Sequence, residues 1–340
     1  MQHLQTNEMK VLFLQSTHWA NDDRVWYHQA ATLQENGIEI AVCGKDKFAD
    51  FQIDNNNANV IIADTPQALW KARKSKAKLV YDITEWYPSK KNLRGLCRLH
   101  KWAKAMVLCL ANLWAGWRSD AFIFGEYYKG YPFRRLFPHT PFINLPYYPD
   151  LQYITPTPPC NISQCCRIFY AGPLTQEKGY FRVLEVVEQV RKKCPETQIE
   201  LDIISNDTPT DVPNDKSIKY TPYLPFRDFC NVIGRYDIFL DLRDNDRENT
   251  HCLPIKLFYY MACGRPCIYS DLKAIRKGVP EIMQCAHLTN SVPNIAKAIV
   301  QYIQDPTLYV SQCETAQTLS KNKYNWEMVK DSFVQLIQTL

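Results

Sequence analysis

No stretch of this 340-residue chain is apolar for long enough to cross a bilayer as a helix. The longest nearly uncharged run, Ala105 to Trp117, has 13 residues, where a span needs roughly 20. The opening MQHLQTNE lacks the apolar centre of a secretory signal, so residues 1–8 are expected to be a flexible leader and the protein cytoplasmic. CxxC pairs are missing although there are 13 cysteines, an odd number, and the seven histidines show no ligand spacing. That pattern points to reduced thiols rather than a disulfide framework or a zinc site. Cys263-Gly-Arg-Pro-Cys267 comes nearest to a metal cluster, and no second pair closes it, so no metal is expected. There is no repeat of solenoid length. Nor is there an RNP-like, helix-turn-helix or finger motif to make nucleic acid a partner. With 46% hydrophobic and 22% charged residues, the disordered, collagen-like and coiled-coil classes are excluded as well.

What is present is enough chain for two domains and an uneven charge. Of the net +5, all lies in residues 1–155, which hold 19 Lys and Arg against 14 Asp and Glu; the rest holds 21 of each. Residues 71–118 carry 12 basic side chains and two acids, Asp82 and Glu85, a local +10 that seeks an anionic partner. The segment 94–117 has the period of one long helix. Leu99, Ala103, Met106, Leu110, Leu113, Trp114 and Trp117 fall on one side, and Arg94, Arg98, Lys101 and Lys104 on the other. Such a helix suits an anionic membrane surface. It equally suits a helix whose apolar side packs on a core while its basic side is solvated, and both readings stand at this point.

Short apolar runs alternate with helical periods along the whole chain, the signature of parallel α/β layers. Strands are expected at 11–14, 38–43, 60–63, 79–83, 121–124 and 142–145, with a helix over 22–35. A proline-rich, aperiodic stretch from Pro146 to Cys166 marks a boundary. A second series follows, with strands at 168–171, 199–204, 238–242 and 267–270, helices over 180–193 and 254–263, and a final amphipathic helix. The expected organisation is a leader (1–8), an N-terminal domain (9–150), a linker (151–166), a C-terminal domain (167–322) and a terminal helix (323–340).

Two segments of the second half carry the more specific chemistry. Phe169-Tyr-Ala-Gly-Pro-Leu-Thr-Gln-Glu-Lys178-Gly179 sets a glycine at a strand end, then a polar loop, then Lys-Gly at a helix start. Backbone amides there, with a lysine beside them, suit a diphosphate, although a solvated turn lysine reads the same. Leu253-Pro-Ile-Lys-Leu-Phe-Tyr-Tyr-Met-Ala-Cys-Gly-Arg-Pro266 places a proline at a helix start and a Gly-x-Pro stop before a strand. Asp244-Asn-Asp246 reads as a D-x-D metal site, but acid-rich loops are common on surfaces.

These segments resemble family-4 retaining glycosyltransferases of the GT-B type, in the subgroup whose helix reads P-N-K-L-F-E-Y-M-A-x-G-x-P. The Lys178 segment is similar to that family's G-R-L-x-x-x-K-G loop. Asp22-Asp-Arg-Val25 resembles its D-x-R-V helix opening, and Tyr81-Asp-Ile-Thr-Glu-Trp-Tyr-Pro88 its Y-D-x-H-E-x-x-P strand end. Phe142-Ile-Asn-Leu-Pro146 and Tyr324-Asn-Trp-Glu327 are similar to the segments that enter its linker and its final helix.

The resemblance implies an α/β chain of GT-B architecture, two Rossmann-like domains facing across a cleft. It would move a sugar from a nucleotide sugar to a glycan or lipid-linked acceptor, without a further cofactor. By position, Gly172, Lys178, Gly179, His251, Lys256 and Tyr259 would bind the donor. Glu85 and Lys178 would be catalytic, and Asp22, Asp23, Arg24 and Thr84 would lie on the acceptor side. The departures are equally specific. The family's Glu-x7-Glu pair falls on His251 and Tyr259, its arginine on Pro173, and its histidine on Thr84. Arg265, Arg247 and Lys256 are candidate replacements for the arginine, and Tyr259 is either a ribose contact or a core aromatic. A non-catalytic GT-B binding or scaffold protein is the alternative. Peripheral attachment to an anionic inner membrane face through residues 94–117 completes the expectation.

Overall fold

A computed structural model describes residues 9–53, 57–85, 88–209 and 215–340. The expected leader (1–8) lies outside these residues, as do Trp86 and Tyr87 of the strand-end motif. The chain divides into two compact units. One runs to Tyr147 and takes in Val329–Leu340; the other is Tyr148–Met328.

The first unit is built on six parallel strands: β1 (Lys10–Leu14), β2 (Glu39–Cys43), β3 (Val60–Ala63), β4 (Lys78–Ile83), β5 (Ala121–Phe124) and β6 (Phe142–Asn144), in the order β2-β1-β3-β4-β5-β6. Strands such as Val-Ile-Ile-Ala and Ala-Phe-Ile-Phe are buried at every residue because helices cover both faces of a parallel sheet. The order reverses between β1 and β3, so ligand-facing loops are expected beyond the C-terminal ends of those strands.

Helix α1 runs from a π-helical stretch, Asp23–Ala30, into an α-helical turn, Ala31–Glu35. The wider winding aligns residues five apart. His28 Nδ1 thus lies 2.8 Å from the Asp23 carbonyl, and Arg24 and Gln29 both reach Asp82. The other helices are α2 (Pro66–Ala72), α3 (Lys90–Leu93), α4 (Arg98–Arg118), α5 (Tyr127–Leu136) and, from the chain's end, Lys330–Gln338, which packs against β6 and α1.

Helix α4 begins at Arg98 rather than Arg94, since Gly95 takes a left-handed φ of 76° and interrupts the winding. Its attachment is by one side of its C-terminal half. The Tyr81 hydroxyl donates to Asn112 Oδ1 at 2.9 Å, and Trp114 stands edge-on to Trp70 at 5.0 Å. Gly116 lies so close to Phe137 that a Cβ would come within 2.2 Å of its ring. The stripe that a core-packed helix would bury is therefore in solvent: Leu99, Met106, Leu110, Leu113 and Trp117 are all exposed.

The second unit has its own parallel sheet of β7 (Cys165–Ala171), β8 (Gln198–Ser205), β9 (Ile218–Pro222), β10 (Ile238–Asp241), β11 (Cys267–Tyr269) and β12 (Ala286–Leu288), in the order β12-β11-β10-β7-β8-β9. Its switch point is between β7 and β10. Helices α6 (Tyr180–Lys193), α7 (Phe226–Ile233), α8 (Ile255–Ala262), α9 (Lys273–Gly278), α10 (Val292–Gln304) and α11 (Pro306–Asn322) complete it, and the Lys330–Gln338 helix of the first unit is α12. Two apolar clusters flank the sheet, one holding Val183, Val187, Ile299 and Tyr302, the other Phe239, Leu257, Tyr260 and Ile275.

Candidate active site

In the second unit, β7 and β10 bring the donor-side candidates to one place. Tyr170, at the end of β7, directs its hydroxyl to the carbonyls of Pro173 and Lys178 at 2.8 and 3.2 Å, and Asp207 accepts from the Leu174 amide at 2.7 Å. These bonds hold the loop from Gly172 to Gly179 in one shape. Gly179 closes it with φ 83°, and a Cβ there would meet the Leu242 carbonyl oxygen at 2.0 Å, so only glycine lets the loop lie against the end of β10. The amides of Gly179 and Tyr180 are bonded to the carbonyls of Gln176 and Thr175. The site's exposed polarity therefore comes mainly from side chains.

Three cations gather there. Lys178 lies 3.2 Å from Glu177 and 3.4 Å from Asn249 Oδ1. Lys256, one residue into α8, donates to the Ala171 carbonyl at the end of β7, and burial pulls its proton affinity down to about 8. Arg243 forks onto Asp241, its Nε 2.8 Å from Oδ1. Burial alone would raise the Asp241 carboxyl, but the charge and hydrogen bonds of Arg243, with Lys256 and Lys178 nearby, hold it below the usual carboxylate range. Three positive groups thus stand against two carboxylates, Asp241 and Glu177, at the switch point, a positive excess that suits a diphosphate. The Asn249 side-chain nitrogen is buried and has no hydrogen-bond partner among the described residues, leaving a donor beside Lys178.

Other donor-side expectations are placed differently. Tyr259 is 5% exposed and stands edge-on to Phe226 and Phe229 at 6.2 and 6.3 Å. Helix α8 is buried at every position from Leu257 to Ala262, so this ring has no solvent side to occupy and is a core aromatic. His251 ends a short 3₁₀ turn with Nδ1 2.9 Å from the Arg247 carbonyl. Arg265 cannot stand in for the missing arginine: it is 2% exposed, and its guanidinium serves the carbonyls of Thr157, Pro158, Gly264 and Tyr236. In the D-x-D segment, Asp244 pairs with Arg182, while Asp246 accepts the amides of Glu248 and Asn249 at 2.9 Å each. Both carboxylates are taken up by the fold.

In the first unit, the β1 loop is braced by Asp64, which accepts the backbone amides of Ser16 and Thr17 at 2.9 Å each and both hydroxyls. The next residue, His18, has Nδ1 3.2 Å from Asp22, and its buried Nε2 has no hydrogen-bond partner among the described residues. Burial lowers the His18 proton affinity, but Asp22, Asp64 and Glu85 together raise it above the ordinary value. Asp22 caps α1 by accepting the Arg24 amide at 3.2 Å. Asp23, lifted by burial and then by the charge of Asp22, is pushed up to about 6.

Glu85 and Thr84 follow β4 at half-buried positions, and the Thr84 carbonyl accepts from Lys129, which is paired with Glu126. Arg24, expected on the acceptor side, is buried instead. It forks onto Asp82 with Nη2–Oδ1 at 2.6 Å, donates to the Leu145 carbonyl at 3.1 Å and stacks 4.0 Å over the Tyr147 ring. It braces the unit.

Sequence reasoning missed His18, Asp241, Arg243 and Asn249. His18 lies beyond β1, Asp241 ends β10 and Arg243 lies just past it, and both strands flank a reversal of order. A switch-point rule applied to the strand list would have drawn attention to them.

Residues 165–305 match the family model described as Glycosyl transferases group 1. No curated protein gave a sequence match. Among solved structures, sucrose-phosphate synthase from Thermosynechococcus elongatus superposes with a TM-score of 0.73 at 11% identity, covering 97% of this chain and 98% of that one. Anabaena HepE, solved with UDP-glucose, superposes with a TM-score of 0.67 at 13% identity over 98% and 100%. The pneumococcal O-GlcNAc transferase GtfA, solved with UDP and GlcNAc, gives 0.59 at 15% over 87% and 60%. These likenesses establish the GT-B fold, and residues 165–305 of the second unit are similar to the group 1 glycosyltransferase family.

Proposed function

With that similarity as premise, we infer that the chain transfers a sugar from a nucleoside diphosphate sugar to a glycan or lipid-linked acceptor, in the synthesis of a cell-surface polysaccharide or glycolipid. The observation that carries the reading is the gathering of Lys178, Lys256 and Arg243 at the β7–β10 switch point, where they outnumber the carboxylates they pair with, Asp241 and Glu177. The negative charge of a diphosphate suits that positive excess. As the sugar leaves, charge grows on the oxygen that departs with the phosphate, and fixed cations stabilise it more than they stabilise the intact donor.

Asp241 is engaged by Arg243, and the family's glutamate positions hold His251 and Tyr259, so we assign no protein nucleophile. The step we propose is retaining. The bond from the anomeric carbon to the diphosphate breaks, a bond to the acceptor oxygen forms on the same face, and the acceptor proton passes to the departing diphosphate. His18, Asp22, Asp23 and Glu85 would bind and orient the acceptor hydroxyls from the first unit.

Thermal denaturation with UDP, GDP and their sugars tests the donor site. A ligand at 100 times its dissociation constant stabilises by about 2.7 kcal/mol, and we expect that size of effect with one nucleotide and its sugar, followed by transfer of labelled sugar to membrane-derived glycolipid. No stabilisation by any of them would favour the non-catalytic scaffold.

A further inference from the structure

We propose that α4 is a bilayer-docking helix, lying in the headgroup region of an anionic membrane with its Leu99–Met106–Leu110–Leu113–Trp117 stripe turned to the acyl chains. The inference goes beyond the sugar-transfer reading and does not depend on it.

At about 100° per residue, these five side chains fall within one narrow stripe, opposite the side that packs on the unit through Asn112, Ala115 and Gly116. The attached side is small and partly polar. The free side is large and apolar, with Leu99 73%, Leu110 60% and Trp117 74% exposed. Scattered exposed leucines need no explanation, but a continuous stripe along a helix about 31 Å long marks a covered surface. Trp102 and Val107 widen it, and Trp70 of α2 continues it past the helix, exposed and with the Arg73 guanidinium stacked 4.4 Å from its ring.

The charge around the stripe selects the occupant. Residues 71–118 carry 12 basic groups and two acids. Arg98 and Arg118 sit about a quarter turn to either side of the stripe, where their stems can lie along it while the guanidiniums reach lipid phosphates. A second copy of the chain would set two such basic surfaces against each other. A purely polar polyanion such as nucleic acid would leave Trp102, Trp117 and the leucines in water. An anionic bilayer satisfies both halves of the surface, with indoles at headgroup depth and leucines below it.

The test is cosedimentation of the full chain with phosphatidylcholine vesicles, with and without phosphatidylglycerol, at 0.1 M and 1 M salt. The parent should pellet with the mixed vesicles at least tenfold more than with phosphatidylcholine alone. Binding should fade as the screening length falls from about 10 Å to about 3 Å. A stripe variant (Leu99→Ser, Leu110→Ser, Trp117→Ser) and a charge variant (Arg98→Gln, Arg118→Gln) should each lose at least tenfold in partitioning while melting as the parent does. A parent that ignores anionic vesicles, or a variant that pellets like the parent, overturns the proposal. So does a stripe variant that no longer folds, which would make the stripe part of a core. A parent dimer on gel filtration that the stripe variant dissolves would assign the surface to a second copy instead.

Discussion

The two units share a parallel α/β plan and differ in what they gather at the point where strand order reverses. In the first, the residues beyond β1 and at the start of α1 are acids and a histidine, and the nearby arginine is already matched to Asp82 inside the unit. In the second, three cations outnumber the two carboxylates they pair with, Asp241 and Glu177. The first switch point is therefore suited to hydroxyl groups and protons, the second to an anion. One architecture offers opposite electrostatics because side chains at strand ends are free of the packing constraints that fix the strands themselves.

The largest expected effect breaks the first unit while sparing the second. Arg24→Ala leaves Asp82 buried without its counter-charge, with Gln29 as its remaining side-chain partner. It should destabilise the first unit by about 3–5 kcal/mol. Urea unfolding should then become biphasic, and a single parental transition would show that the pair is dispensable.

Next in size, Lys178→Ala should lower kcat/KM at least tenfold, about 1.4 kcal/mol, with the melting temperature nearly unchanged because the side chain is one-third exposed. Parental turnover would remove this lysine from the site.

Lys256 sharpens the contrast through pH. With its proton affinity near 8 in the free protein, the side chain is charged below that pH and neutral above it. A bound diphosphate favours the charged form. Donor affinity should be flat from pH 6 to about 7.5 and fall by up to roughly tenfold per unit above 8, as each binding event must take up a proton. Calorimetric titration at pH 7 and 9 reads this directly, and Lys256→Gln should bind weakly with a flat profile.

The smallest effect probes the first unit. Asp23 titrates near 6, so Asp23→Asn should change the acid limb of kcat/KM between pH 5 and 7 by a few-fold while leaving donor affinity alone. An unaltered limb would leave this acid a helix-start residue only.

The fold was legible where apolar runs were long and fully covered: β1, β3, β4, β5, β7, β8 and β10 follow the expected strands closely. β9 and β12 escaped because Ile218–Pro222 is a polar, partly exposed strand at the sheet's edge and Ala286–Leu288 is a partly exposed strand whose apolar run is broken by His287. The π winding of α1 escaped because it depends on Asp82, far away in sequence. At the site, Lys178, Gly179 and Lys256 were readable from local motifs. Asp241, Arg243 and Asn249 were not, since only the sheet order brings β10 beside β7. Tyr259 was read as either a ribose contact or a core aromatic, and the structure sets it on a helix buried from Leu257 to Ala262.

Helix α12 gives the two units different histories during synthesis. The first unit is split in sequence, with its last element at Lys330–Gln338, while the second is continuous from Tyr148 to Met328. At roughly 5–20 residues per second, the growing chain needs on the order of ten to forty seconds to travel from one part of the first unit to the other. The second unit can thus be complete on the ribosome while the first still lacks the helix that covers β6 and α1. Here the half that starts first finishes last, and a chaperone bound to the nascent chain would find β6 uncovered throughout that interval.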